Sequence, residues 1–194
     1  MLLRTIAILR SFDPERSQTL ARGCWAAGMD LVEVPVQGER GWAALSAVAD
    51  IADGRPFGAG TVLTPEDARR AADFGATVAI SPGLDADVVR AAIAAGMVPL
   101  PGVFTASDVM LAGRLGVGAA KLFPASLAGT AWLAAMRGPF PGMRFVAVGG
   151  VDLSNAADFL SAGACGVGFG SSVEQILAAP DPAAVVAELH ARFG

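Results

Sequence analysis

The sequence predicts an α/β fold of the (β/α)8 TIM-barrel class, with a closed parallel sheet ringed by helices. Short apolar runs recur eight times, most of them entered through a glycine. Each run is followed by a stretch rich in Ala, Leu and Arg, which favours helix. Hydrophobic residues make up 54% of the chain and charged residues 16%, so much backbone must be buried on both faces. That suits strands covered by helices better than a half-solvated antiparallel sheet.

Along the chain, the strand candidates are Thr5–Leu9, Leu31–Val36, Phe57–Gly60, Thr77–Ser81, Met97–Leu100, Ala119–Phe123, Phe145–Val148 and Gly166–Gly170. Gly28, Gly54, Gly75, Gly96, Gly116 and Gly163 stand before six of them, and Gly138 or Gly142 before a seventh. A helix often stops at a left-handed residue, a conformation open to glycine, and a strand can then follow. Helix starts are expected at Asp13-Pro14, Thr64-Pro65, Thr105 and Ser154, each an oxygen-bearing cap ahead of a helical stretch. No linker or break in composition divides the 194 residues, so one barrel domain over 1–194 is expected. An open doubly wound sheet is the alternative, and it would need fewer strands and a switch point.

Composition excludes several functions. A net charge of −4 is a poor match to a phosphate backbone, which needs a basic stripe. Mean hydropathy is +0.54, yet the uncharged stretch from Ala91 to Ser107 is broken by Gly96, Pro99, Pro101 and Gly102. No run therefore reads as a spanning helix, and the apolar segment Thr5–Leu9 is too short for a signal peptide. The expected location is the cytoplasm. Cys24 and Cys165 have no CxxC spacing and read as small apolar residues in a reducing compartment.

Active sites of such barrels lie at the carboxyl ends of the strands. Lys121, in Ala119-Ala120-Lys121-Leu122-Phe123-Pro124, is the one lysine among 14 Lys and Arg residues. Arginine serves wherever a fixed positive charge suffices, but it cannot lose its proton to attack a carbonyl. A lysine set among apolar neighbours is favoured as the neutral amine that a Schiff base requires. Glu33, in Leu31-Val32-Glu33-Val34-Pro35, must point into the barrel or be paired, and can act as a general acid/base. A structural ion pair between Glu33 and Lys121 would share that geometry.

Two glycine-rich loops follow the last two strands: Gly149-Gly150, and Gly168-Phe169-Gly170-Ser171-Ser172. Glycine lets backbone N–H groups come close to an anion, and these strand ends often hold a phosphate in such barrels. Arg10, after strand one, and Thr61, after strand three, could hold a carboxylate by a guanidinium fork and a hydroxyl. The one histidine, His190, is far in sequence from these positions and reads as a solvent-facing helix residue. With one His and no clustered Cys, no metal site and no cofactor is expected, and an imine needs neither.

Taken in order and spacing, these segments resemble the class I aldolases that act on 2-keto-3-deoxy-6-phosphogluconate, its galactonate epimer and 4-hydroxy-2-oxoglutarate. The motifs are Ile6-Ala7-Ile8-Leu9-Arg10, Val32-Glu33-Val34-Pro35, Gly58-Ala59-Gly60-Thr61-Val62, Ser81-Pro82-Gly83, Pro101-Gly102, Lys121-Leu122-Phe123-Pro124, Val148-Gly149-Gly150-Val151 and Gly168-Phe169-Gly170-Ser171. The resemblance implies an imine on Lys121 with the 2-keto group, and proton transfer by Glu33. It implies that Arg10 and Thr61 hold the pyruvyl carboxylate, and that Gly149, Gly150, Gly170 and Ser171 hold the phosphate. Its products would be pyruvate and D-glyceraldehyde 3-phosphate, made by a homotrimer.

The chain departs from the gluconate branch of that family at two points. Pro35-Val36-Gln37 follows Val34 where that branch has Thr-Leu-Arg, and Val148 stands where it has threonine. Both features resemble the galactonate branch, so the expected partner is a phosphorylated 2-keto sugar acid of that stereochemistry. Two other functions fit the same residues: a phosphate-binding isomerase or epimerase with Lys121 as an electrostatic partner, and a catalytically silent sugar-phosphate-binding barrel.

Overall fold

A computed structural model describes residues 3–9 and 13–193. Its strands are β1 (Thr5–Ile8), β2 (Leu31–Pro35), β3 (Phe57–Gly60), β4 (Val78–Ile80), β5 (Val98–Leu100), β6 (Gly102–Val103), β7 (Ala119–Leu122), β8 (Arg144–Val148) and β9 (Gly166–Phe169). Every pairing is parallel, in the order β5-β4-β3-β2-β1-β9-β8-β7-β6. The two end strands are consecutive in the chain and separated by Pro101 alone. Proline has no N–H to give to a ladder. The expected fifth strand, Met97–Leu100, is seen as β5 paired to β4, while β6, a short strand past the proline that was not expected, pairs to β7, and together they close an eight-position ring. An open sheet with two free edges does not describe it.

Among the described residues there are ten helices: α1 (Pro14–Ala26), α2 (Gly38–Asp50), α3 (Pro65–Asp73), α4 (Ala86–Ala94), α5 (Ala106–Arg114), α6 (Ala125–Ala128), α7 (Thr130–Arg137) and α8 (Ala156–Ser161) in the crossovers, and α9 (Val173–Leu177) and α10 (Pro182–Ala191) after the last strand. Asp13, Thr64 and Thr105 cap α1, α3 and α5 as expected, and the two threonines form capping boxes with Asp67 and Asp108. Ser154 does not cap α8. Its hydroxyl donates to Asp152, and Asn155 takes the cap position instead. All six glycines placed before strands one by one adopt positive φ, whereas Gly138 caps α7 at φ −61° and Gly142 is not among the left-handed glycines. None of the described helices is long and apolar enough to cross a membrane.

Strand side chains alternate between two separate cores. Ile6, Ile8, Leu31, Val78, Ile80, Leu100, Val146 and Val148 form the inner one, inside the ring. Ala7, Val32, Val34, Ala59, Ala120, Leu122, Phe145 and Phe169 belong to the larger one, between sheet and helices. Cys24 lies in that outer core, where burial pushes its thiol up to about 12. Cys165 borders the inner core.

His190 is not solvent-facing. It sits on α10 with its side chain 20% exposed, its Nε2 is 2.9 Å from Thr5 Oγ1 and 3.3 Å from Asp30 Oδ2. Asp30 Oδ2 also accepts the backbone N–H groups of Arg4 and Thr5, each at 2.9 Å. This carboxylate ties the start of β1 to the segment entering β2 and to the last helix. Replacing it strands at least two donors that the fold holds out of water. Asp30→Ala should lower unfolding free energy by about 2–3 kcal/mol in a urea titration, with the slope unchanged.

Candidate functional site

Because every strand runs the same way, all carboxyl ends meet at one rim. Glu33 lies two residues beyond Leu31 on β2, and Lys121 two beyond Ala119 on β7, so both face the inner core. Both are buried, Glu33 at 2% and Lys121 at 3% exposure. Two ionisable side chains inside an apolar ring are costly unless they interact or do chemistry. Lys121 Nζ lies 4.7 Å from the centre of the Phe123 ring, a cation–π distance. Its backbone N–H donates to Pro101 O at 2.8 Å, which seats β7 against the junction of β5 and β6.

Glu33 has room because β3 lacks a side chain opposite it. A Cβ built on Gly60 would come within 2.7 Å of Glu33 Cγ and 2.8 Å of its Cδ. Gly58, paired in register with Glu33, would put its Cβ 2.9 Å from the Val78 carbonyl oxygen. Two inward-facing glycines therefore hollow the ring where the glutamate enters it.

Thr61 follows Gly60 directly, half-buried, with φ at +56°. A left-handed β-branched residue costs on the order of 1–3 kcal/mol, and such strain collects at binding sites. The chain turns sharply there, and the threonine stands at the rim. Arg10, the expected partner for a carboxylate, lies outside the described residues.

The two glycine loops meet at the rim between β8 and β9. Ile8, Val148, Gly149, Gly150, Val151, Gly170 and Ser171 line a cavity of about 180 Å3 there. Gly149 and Gly150 have φ of +93° and +75°. A side chain at Gly149 would press on the Phe123 ring at 2.9 Å, so this loop and the aromatic beside Lys121 are in close contact. A side chain at Gly150 would likewise collide with Ser126, at the start of α6. No basic side chain lines the cavity among the described residues, so an anion there would be held by backbone N–H groups and the Ser171 hydroxyl.

The structure thus brings Lys121, Glu33, Thr61 and both glycine loops to one end of one ring. Sequence reading missed Gly60, Phe123 and Ser126 as shapers of the site. A glycine at a strand end and an aromatic two residues past the lysine were visible signals. The seat of Ser126 beneath Gly150 had none, because it depends on how two loops pack.

A family model described as KDPG and KHG aldolase matches residues 1–187. A probable 2-dehydro-3-deoxy-6-phosphogalactonate aldolase of Rhizobium meliloti (strain 1021) is 36% identical over 170 residues, 87% of this chain and 80% of the relative. A native KDPGal structure superposes with a TM-score of 0.88 at 32% identity, covering 99% of this chain and 97% of that one. The KDPG aldolase of Legionella pneumophila, solved with pyruvate captured as a covalent carbinolamine, matches at 27% identity with a TM-score of 0.83. Its match spans 98% of this chain and 94% of that one.

The hollow at Gly60 generates a prediction. Gly60→Ala should displace the Glu33 carboxylate and reduce kcat/KM for aldol cleavage by about 100-fold, since small misplacements of reacting groups carry penalties of that order. Circular dichroism should still report the native fold.

Proposed function

The chain belongs to the KDPG and KHG aldolase family, and from that premise we propose that Lys121 forms a Schiff base with the 2-keto group of a phosphorylated sugar acid. The substrate is 2-keto-3-deoxy-6-phosphogalactonate or its gluconate epimer. The products are pyruvate and D-glyceraldehyde 3-phosphate. One observation carries the assignment: the single lysine of the chain is buried inside the ring, at its carboxyl end, facing the same interior as a buried glutamate.

Lys121 Nζ attacks C2 and forms a carbinolamine, whose hydroxyl takes a proton from the Glu33 carboxyl and leaves as water, giving a protonated imine and a Glu33 carboxylate. Glu33 takes the proton of the C4 hydroxyl, the C3–C4 bond breaks, and its electron pair flows into the imine as an enamine. The aldehyde product leaves. The proton then held by Glu33 returns to C3, and water hydrolyses the protonated imine to pyruvate and free amine, the released proton going back to the Glu33 carboxylate. Burial of both groups supports this cycle, because desolvation disfavours the ammonium form of a lysine and strengthens each interaction with the reacting atoms.

Thr61 binds the pyruvyl carboxylate together with Arg10. Gly149, Gly150, Gly170 and Ser171 bind the phosphate, a role supported by the 180 Å3 cavity between their loops. Val148 lines that cavity with methyl groups instead of a hydroxyl, which favours the galactonate stereochemistry. Residues 1–194 act as one domain, in the cytoplasm and as a homotrimer. Exposed Leu63, Phe104, Met110 and Leu127 supply apolar surface for contact between copies.

Borohydride reduction in the presence of pyruvate tests the central step. The adduct should map to Lys121, and Lys121→Arg should abolish both adduct and cleavage, whereas an isomerase using Lys121 as a mere charge would retain activity. Glu33→Gln should still trap pyruvate while cleavage slows by about 10²–10⁴-fold, the usual span for losing a general acid/base.

A further inference from the structure

The phosphate cavity is walled by two loops that leave different strands. The loop after β8 contains Gly149 and Gly150, both left-handed, and glycine gives up more backbone freedom on ordering than any other residue. The loop after β9 contains Gly170. With no basic side chain among the described lining residues, affinity for an anion depends on where the backbone N–H groups point. Hydrogen bonds weaken steeply as their angle departs from linear, so two mobile loops would hold phosphate poorly.

Two side chains counter that mobility. Ser172 is buried at 3% exposure, and its hydroxyl donates to the carbonyl of Val151 at 3.2 Å. This bond crosses from one loop to the other, between residues 21 apart in sequence. Asn155 works within the first loop. Its Nδ2 donates to Gly150 O at 2.9 Å while its Oδ1 accepts Asp152 N–H at 3.0 Å. The Ser172 hydroxyl is directed at a protein carbonyl and shut off from solvent, and neither Ser172 nor Asn155 lines the cavity.

We infer that Ser172 and Asn155 are positioning residues for the substrate's phosphate, with the Ser172–Val151 bond holding the two glycine loops at the separation that anion binding needs. The inference rests on the reading of this cavity as the phosphate site of an aldolase. Ordering the loops before binding removes part of the entropy cost of capture, which appears as affinity and not as a faster chemical step.

Three readouts separate this role from a general structural one. These are cleavage of the phosphorylated 2-keto acid, cleavage of its unphosphorylated analogue, and deuterium exchange into the methyl group of pyruvate alone. Ser172→Ala should raise KM for the phosphorylated substrate about threefold to tenfold, the span of one lost neutral hydrogen bond, with kcat nearly unchanged. The unphosphorylated analogue and pyruvate exchange should keep their wild-type values. Asn155→Ala should show the same split, and a thermal melt will report whether that variant also loosens α8. Equal losses with both substrates, or an unchanged KM for the phosphorylated one in Ser172→Ala, would overturn the inference. If the wild-type protein fails to exchange pyruvate protons, the aldolase reading itself falls, and this one with it.

Discussion

A lysine and a glutamate taken out of water inside a ring of Ile, Leu and Val are the constraint around which the upper half of this barrel is arranged. Charged groups pay heavily for such a place unless the surroundings receive them. The ring receives them by omission as much as by contact. Gly58 and Gly60 leave β3 without side chains where Glu33 enters, and Phe123 offers its face to the Lys121 amine. The remaining interior is filled by apolar side chains, among them Ile6, Leu31, Val78 and Val146. One end of the ring is built for packing and the other for chemistry.

Closure matters for the same reason. A parallel strand cannot leave its edge open to water without exposing a row of unpaired backbone groups. Here the ring closes through a strand interrupted at Pro101, whose carbonyl still accepts the Lys121 N–H. The break therefore lies beside the buried lysine, and the neighbouring Gly102 pairs with it in register. At the far end of the ring, Asp30 gathers Arg4, Thr5 and His190 and fastens the last helix to the first strand. Stability is anchored at one rim, and strain, in the left-handed Thr61, is kept at the other.

Much of this was legible in the chain. Eight strand candidates fell within a residue or two of the observed strands, because a glycine stop, an apolar run and a capped helix are local signals read within a few residues. The misreadings were tertiary. His190 looked exposed because its partners, Thr5 and Asp30, come from the opposite end of the sequence. Ser154 looked like a cap because it is an oxygen-bearing residue ahead of a helical stretch, but in the loop after β8 its hydroxyl turns to Asp152 and the helix begins one residue later.

Sequence alone determined that this chain would carry one lysine, one acid in an apolar strand and two glycine loops in a fixed order along a repeating unit. Those features follow from residue chemistry and spacing, which need no knowledge of distant contacts. Tertiary structure decided that β3 would leave a hollow for Glu33, that Phe123 would lie against both Lys121 and the Gly149 loop, and that Ser172 would reach across to Val151. Such contacts arise only when the ring closes, since closure brings together residues that the chain keeps tens of positions apart.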